Sequence, residues 1–563
     1  MPAPEHTAAP HAARPGRPRA GVVGGVLAAA ADRLVERRLS VLGGLLVVHW
    51  VAIALLARAI PHNGWVFYQG GDQIWLTTTG WLLAEGQLAP TYVGYGWPLV
   101  LAPITAVTGP GFASAMPAVI ALGALVLAPI ALWAVYRLAA RIAGAAFGLF
   151  AAAAWVAAPF AVIPLWRDDY HERWVEQFLP QALGLTALAD YVSLVLALAA
   201  ALLFVRAFDS HTGVDAVAAG VVAGFLVGTK PSNVLFLAGP ALALIVAWRP
   251  RLALTYAAGL VPAVLTLALW KARGLGSLPV LAFPEQHLAT AAIPGLPALE
   301  RYVDLDWANF HRNMNDLREY FWSARLLQWL PLAGLVAVAR RSPPLAALLG
   351  GWLASFVLVK GTTPLSSVSS GSFFRYLMPA YPAYFLLAVS TVLLVPTLGR
   401  RVSVRWPSEP VHAMGTRRLA LLVAALALVP LAVVVVARPI AEPRAVFVSN
   451  ILTPVDARID VRVERDGDAR VVTWEHPPVG SARIFYHVFR TSPEGRDLEC
   501  RGHRGARDCL LEMVSLGATR ERLVHDDDAS PDASYRVGIA ANWVDSVEEG
   551  DVFLLSESAT AEP

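Results

Sequence analysis

The chain has 563 residues, 56% of them hydrophobic and 15% charged, with a net charge of +3. Soluble globular proteins carry about 25% charged residues, so the composition excludes an ordinary soluble fold and points to a polytopic membrane protein. No dense basic patch interleaved with aromatics occurs, which excludes nucleic acid as a partner.

Residues 1–38 open with Ala, Pro, His and Arg and read as a disordered cytoplasmic tail. The first apolar run begins near residue 40, too late and too long for a signal peptide. Runs of about 20 apolar residues predict about eleven spans within 39–440, at 40–60, 114–136, 143–164, 187–206, 213–229, 232–248, 252–270, 326–339, 344–359, 376–397 and 419–437. Arg33, Arg37, Arg38, Arg137, Arg141, Arg206, Arg249, Arg251, Arg340, Arg341, Arg400, Arg401, Arg405, Arg417 and Arg418 then all fall on one side. Positive residues mark the cytoplasmic side of short loops, so the expected protein lies in the plasma membrane with its N-terminus cytoplasmic and its C-terminal region outside.

The outer loops are then 61–113, 165–186, 271–325 and 360–375. In the first, Gln73 to Glu85 carries Ile74, Trp75, Trp81 and Leu82 on one side and reads as an interfacial helix. Residues 97–108 are apolar but short, and read as re-entrant or interfacial. Asp72 and Glu85 are the only charges between Pro61 and Ala113. The loop LWRDDYHERWVEQF, residues 165–178, is the richest polar cluster. Its Asp168, Asp169, His171 and Glu172 are candidates for an acceptor or a divalent metal, although they lack a firm ligand spacing and a solvated turn explains them as well. In 271–325, WANFHRNMNDLREYFW reads as a further interfacial helix lying over the site. Inside the spans, His49 and Asp190 are polar exceptions, and His49 reads as a packed or interfacial histidine.

From about residue 450 the apolar runs stop, and short β-type segments with turns at Asp466-Gly467 and Pro478-Val479-Gly480 predict an all-β sandwich over 450–558. Trp474 falls on the second strand, Tyr486 on the third and Tyr535 at a tyrosine-corner position, an order that resembles a fibronectin type III domain. Cys500 and Cys509 are the only cysteines and, on the outer side, are candidates for a disulfide.

Three stretches carry a second resemblance: GGDQIWLTTTGWLLAEGQLAPTYVGYGWPLVLAPITAVTG (70–109), GFLVGTKPSNVLFLAGP (224–240) and FFRYLMPAYPAYFLL (373–387). Their order and sidedness resemble the GT-C superfamily of membrane glycosyltransferases, nearest to the branch of protein O-mannosyltransferases and lipid A aminoarabinose transferases. The resemblance implies a polyprenyl-phosphate sugar donor, a lipid, polysaccharide or protein acceptor, and inversion at the anomeric carbon. It departs from its relatives at Gln73, where many carry a second acid after the Asp.

The chemistry agrees with that resemblance. A departing lipid phosphate is already anionic and needs cations, and the acceptor hydroxyl needs one general base. A glycosidase would need two carboxylates across the bond. Asp72 is the candidate base, with a helix N-cap as its plainer role. The cation candidates are Arg58, Arg167, Arg173, Lys230, Lys271, Arg273, Arg312, Arg318, Lys360 and Arg375. Snorkelling to the membrane surface explains Arg58, Lys271, Arg273 and Lys360. Lys230, at a break before Pro231, and Arg375, beside Tyr376, rank first as phosphate ligands, ahead of Arg167 and Arg173. No cofactor is required beyond the optional divalent metal. The alternatives are a transporter or flippase of a lipid-linked or envelope substrate, and a non-catalytic envelope scaffold.

Overall fold

The computed structural model describes residues 22–59, 71–88, 93–109, 112–161, 178–275, 305–321, 324–363, 366–369, 371–396, 405–411, 416–439, 459–467, 469–476, 484–491, 513–527, 529, 532–541, 551–556 and 559–561. The membrane part runs α1 (Val22–Glu36), α2 (Arg38–Ala59), α3 (Gly71–Ala84), a short strand β1 (Gln87–Leu88), α4 (Gly96–Thr108), α5 (Phe112–Leu122) and α6 (Ala128–Ala143). It continues through α7 (Ala145–Ala161), α8 (Ala189–Ser210), α9 (Gly213–Thr229), α10 (Ala238–Val246), α11 (Pro250–Leu275) and α12 (Trp307–Tyr320). Then come α13 (Ala324–Ala339), α14 (Pro343–Thr362), α15 (Ser372–Leu377), α16 (Tyr381–Ser390), α17 (Thr416–Val436) and the strand β2 (Arg438–Pro439). A π-helical turn, Gly123–Leu127, joins α5 to α6. The chain is an integral membrane protein: among the described residues, seven helices are long and apolar enough to cross a membrane. The other four predicted stretches hold shorter apolar helices, of which Gly213–Thr229 and Pro231–Val246 are examples.

Small residues let these helices meet closely, since apolar surface alone gives no drive to association in lipid. A Cβ on Gly220 of α9 would stand 2.2 Å from the Tyr256 carbonyl oxygen and 2.9 Å from Gly259 of α11, so the two backbones touch. Alanines of α6, α8 and α9 fill the centre of the bundle, with Phe204, Phe236 and Trp352 among its large side chains. Between α8 and α9, Arg206 and Asp215 form a buried ion pair at 2.7 Å, and the Ser210 hydroxyl donates to Asp215 at 2.6 Å.

The arginine-bearing loops meet at one end of the bundle. Arg38 binds Glu409 at 3.1 Å, Arg137 reaches Glu409 and donates to the Pro410 carbonyl, and Arg141 grips Asp209 at 2.9 Å. Arg405 donates to Asp32 at 3.1 Å. The segment 405–411 ties these groups together, since the Val411 amide donates to Asp209 and the Glu409 amide to the Ala140 carbonyl. It crosses Gly144, whose φ of 87° suits glycine and whose Cβ would lie 2.2 Å from the Trp406 oxygen. Asp209 and Asp190 are 19 positions apart on α8, which places Asp190 ~28 Å from this arginine network at about 1.5 Å per residue, close to a hydrocarbon thickness of about 30 Å.

Helix α3 corrects the expectation of an interfacial helix. Leu76, Thr77, Thr79, Trp81, Leu82 and Leu83 are all buried, and α3 packs along α4, where a Cβ on Gly80 would touch Leu101 at 2.8 Å. The described side chains of α3 up to Leu83 are buried, while α4 buries Trp97, Leu101 and Thr105 and exposes Pro103, Ala106 and Val107.

The C-terminal strands form two antiparallel sheets. One has the order β3 (Asp460–Asp466), β4 (Ala469–Glu475), β7 (Leu523–Asp526). The other runs β10 (Ala559–Thr560), β8 (Ser534–Ala541), β5 (Ile484–Thr491), β6 (Met513–Thr519), with β9 (Asp551–Leu555) also on β8. Val463, Val472, Trp474, Tyr486, Val488, Tyr535 and Val537 alternate inward to form the core, as a half-buried sheet requires, and Trp474 meets Tyr486 edge-on at 5.2 Å. The Tyr535 hydroxyl donates to the Asp526 carboxylate at 2.7 Å, where a tyrosine corner binds backbone. Burial and the Asp526 charge push that hydroxyl's pKa up. Cys500 and Cys509 lie outside the described residues, so the disulfide expectation does too.

Removing one member of an enclosed ion pair costs about 3–5 kcal/mol because the other charge stays buried. Asp215→Ala is therefore expected to lose about that much stability in detergent unfolding, and the double change Arg206→Met with Asp215→Leu to lose clearly less. Equal losses from the single and double variants would show that the pair is not what matters there.

Candidate functional site

The site forms where three separate segments meet at the end of α8 remote from the arginine network. Asp190 occupies the first turn of α8 with its side chain 2% exposed. Lys230 donates through Nζ to its Oδ1, and Arg375 through Nε to its Oδ2 at 3.1 Å. Each cation is about one-fifth exposed, Lys230 at 22% and Arg375 at 21%. The Lys230 ammonium lies 5.5 Å from the centre of the Tyr376 ring, and the Lys360 ammonium lies 5.7 Å from the same ring, both within cation–π range.

Local sequence explains these positions. Pro231 forces the residue before it out of the helical region, and Lys230 is extended at φ −144°, ψ 112°, between the end of α9 and a 3₁₀ turn, Pro231–Leu237. That break turns the lysine out of the bundle. The Asn233 side chain anchors the turn by donating to Ser193, one turn beyond Asp190, at 2.8 Å, and to the Leu226 carbonyl. Arg375 sits on the short α15, reached through Gly371 in a left-handed conformation at φ 74°. The preceding loop is held by α12: Asn309 donates to the Thr363 carbonyl, and Asn313 donates to the Ser366 carbonyl and accepts from the Val368 amide. Asp306 caps α12 by accepting from the Asn309 amide at 2.9 Å.

The first-loop motif joins the same place. The Gln73 side-chain oxygen accepts from the Ala187 amide at 2.8 Å, and the Trp97 indole donates to the Ala187 carbonyl at 2.6 Å. Both anchors lie three residues before Asp190, so the start of α3, which bears Asp72, is fixed beside the start of α8. The Tyr95-Gly96 turn fits against Gly228 and Thr229, immediately before Lys230: a Cβ on Gly94 would stand 2.1 Å from the Gly228 oxygen, and one on Gly96 2.4 Å from Thr229 Oγ1. Burial pushes the Tyr95 hydroxyl's pKa up. The three stretches 70–109, 224–240 and 373–387 thus pack together.

Some expectations change. Lys271 is buried and donates to the Val93 carbonyl at 2.8 Å, so it does not snorkel, whereas Arg273 is half-buried and donates to the Val435 carbonyl at 2.7 Å. Lys360, also assigned to snorkelling, stands with the site. Asp72 lies within the first turn of α3, and its side chain and that of Arg58 fall outside the description. Arg167, Asp168, Asp169, His171, Glu172 and Arg173 lie outside the described residues. Among those described, no three His, Cys, Asp or Glu side chains gather as a metal site. Arg312 and Arg318 are on α12, and Arg318 lines the cavity described next.

A cavity of about 1350 Å³ adjoins the cluster. It runs between α2, α7 and α8 on one side and α12, α13, α14 and α16 on the other, and Tyr191 and Phe374, the chain neighbours of Asp190 and Arg375, are on its wall. The residue missed from sequence is Asp190. Its signal was present: a lone acid at the start of a span has to find cations.

No family model and no curated protein matches the chain. Among solved structures, the apo crystal structure of the Archaeoglobus fulgidus oligosaccharyltransferase is similar at a TM-score of 0.39 and 15% identity, over 72% of this chain and 56% of that one. The matched region thus spans little more than half of that protein's length, and a likeness at this score carries no weight on function.

Asp190→Asn keeps the shape of the side chain and removes the charge that Lys230 and Arg375 share. The expected loss in detergent unfolding is about 2–3 kcal/mol, less than for a fully enclosed pair because both cations are partly solvated. Unchanged stability would mean that the two cations hold their places without it.

Proposed function

We propose that the chain is an integral membrane glycosyltransferase of the GT-C kind, moving a sugar from a polyprenyl-phosphate donor to an acceptor hydroxyl on the extracytoplasmic side. The observation that carries this reading is the convergence of Lys230 and Arg375 on Asp190 beside a large apolar cavity. In the proposed step the acceptor oxygen attacks the anomeric carbon, the bond from that carbon to the phosphate oxygen breaks, and the lipid phosphate leaves with the electron pair. Lys230 and Arg375, with Lys360 behind them, stabilise the charge that develops on the phosphate. The Asp72 carboxylate takes the acceptor's proton. A single displacement of this kind inverts the anomeric carbon. Both Asp190 oxygens are engaged by cations, so Asp190 acts as a positioning residue and Asp72 as the base.

In this account the loop 165–178 faces the acceptor, with Asp168, Asp169, His171 and Glu172 as its contacts or as holders of a divalent metal, and Arg167 and Arg173 as further cations. The acceptor is a hydroxyl of a lipid, a polysaccharide or a protein. The C-terminal domain, fibronectin type III-like in its two-sheet order and its inward Trp474 and Tyr535, lies on the same outer side. The arginine network then faces the cytoplasm, as positive residues in short loops do.

Transfer from a polyprenyl-phosphate sugar in reconstituted vesicles tests the assignment. Asp72→Asn is expected to lower the rate about 10²–10⁴-fold, the range for a general base, with membrane insertion unchanged. A normal rate in that variant would contradict the role of Asp72. Lys230→Ala and Arg375→Ala should each lower kcat/KM about 10–100-fold, as loss of a charge-assisted contact of about 1.5–3 kcal/mol does.

A further inference from the structure

We propose that Arg318 is a further donor-binding residue, its guanidinium holding the lipid phosphate from the cavity side. The inference rests on the lipid-phosphate reading of the Asp190 cluster and adds a cation from an element outside that cluster. At about 1350 Å³ the cavity exceeds the range of about 300–1,000 Å³ that serves small molecules, so it has room for a long apolar tail. Its wall is apolar or aromatic almost throughout. Among the described wall residues, Arg318 is the one Asp, Glu, Lys or Arg.

Arg318 is exposed, and no hydrogen bond, ion pair or ring contact engages its guanidinium among the described residues. The faces of α12 explain why. At about 100° per residue, Met314, Leu317, Arg318 and Phe321 share one side, and all four line the cavity. Asn309 and Asn313 occupy the next side and hold the loop that leads to Arg375. Arg312, Asp316 and Glu319 fall on a third, where the charges acting on Asp316 are those of Glu319 and Arg312. A guanidinium that no carboxylate engages, on an otherwise apolar wall, calls for an anionic group on the occupant.

The position of α12 puts that group at the Asp190 end. Ser342, three residues beyond α13, lines a small crevice with Arg141 and Asp209 of the arginine network. Arg318 precedes α13, whose 16 residues span ~24 Å, so it lies far from that network. Asp190 stands ~28 Å from the network along α8, at the same end as Arg318. The Phe321 ring, one turn after Arg318, packs on the Phe374 ring at 5.4 Å, and Phe374 immediately precedes Arg375. Lys230 and Arg375 thus approach the phosphate from the bundle, and Arg318 approaches it from α12. A guanidinium takes two phosphate oxygens at once.

Binding of polyprenyl phosphate, and of the uncharged polyprenol of equal length, to the full chain in detergent tests this by native mass spectrometry. Arg318→Ala is expected to lower the affinity for the phosphate about tenfold, as loss of one charge-assisted contact does, and to leave polyprenol binding unchanged. Arg318→Lys, which keeps the charge, should bind the phosphate more tightly than Arg318→Ala. Arg312→Ala, on the other side of the same helix, should bind both lipids as the wild type does, which separates a contact from a general loss of positive charge. Wild-type affinity for the phosphate in Arg318→Ala, an equal fall for both lipids, or the same fall in Arg312→Ala overturns the proposal. If Lys230→Ala still weakens the phosphate selectively in that case, the reading of the Asp190 cluster stands and only the role of Arg318 falls. A wild type that binds the phosphate no better than the polyprenol overturns the lipid-phosphate reading and this inference with it.

Discussion

A carboxylate enclosed at the start of a membrane helix needs counter-charge, and Asp190 draws it from two places far apart in the chain. Lys230 comes from the break between α9 and the following 3₁₀ turn, and Arg375 from the short α15. Much of the surrounding structure serves that meeting. Pro231 opens the break, Asn233 anchors the turn to α8, and the asparagines of α12 hold the loop that leads to Arg375. Through Gln73 and Trp97, the hairpin of α3 and α4 is fixed to the residues just before Asp190. The result is a shared carboxylate with two partly exposed cations, next to a large apolar cavity. An anionic head with an apolar tail satisfies both features at once.

The two ends of the bundle use charge differently. At the arginine end, Arg38, Arg137, Arg141 and Arg405 are met by Glu409, Asp209 and Asp32. The segment 405–411 lies across this end and closes it. At the far end two cations share one buried acid. The first arrangement joins four arginines to three carboxylates around one segment, and the second joins two partly exposed cations to one buried acid. The second stands beside the large cavity, whose wall includes Tyr191 and Phe374, and that makes it the candidate binding site.

Much of this was legible in the sequence. The apolar runs announced the helices, and Lys-Pro at 230–231 announced both a break and an outward-turned cation, because proline constrains the residue before it. Alternation around Trp474, Tyr486 and Tyr535 announced the sheets. What was not legible depended on contacts between distant segments. Trp81 and Leu82 suggested an interfacial stripe, yet α3 is enclosed because α4 folds back on it. Lys271 looked like a snorkelling residue but holds the Val93 carbonyl, and Lys360 reaches the Tyr376 ring that Lys230 also faces. Asp190 looked like an isolated exception because its partners are 40 and 185 residues away. Gln73 accepts a backbone hydrogen bond from Ala187, so a neutral amide meets a structural demand at that position.

The most direct measurement of the central claim is a structure of the full chain with polyprenyl phosphate bound. The account places the phosphate against Lys230 and Arg375, with the chain running past Tyr191 and Phe374 into the cavity and the Asp72 carboxylate facing the phosphate across the sugar's place. A phosphate bound at the arginine end, or a head group at the cluster with its chain outside the cavity, would contradict it.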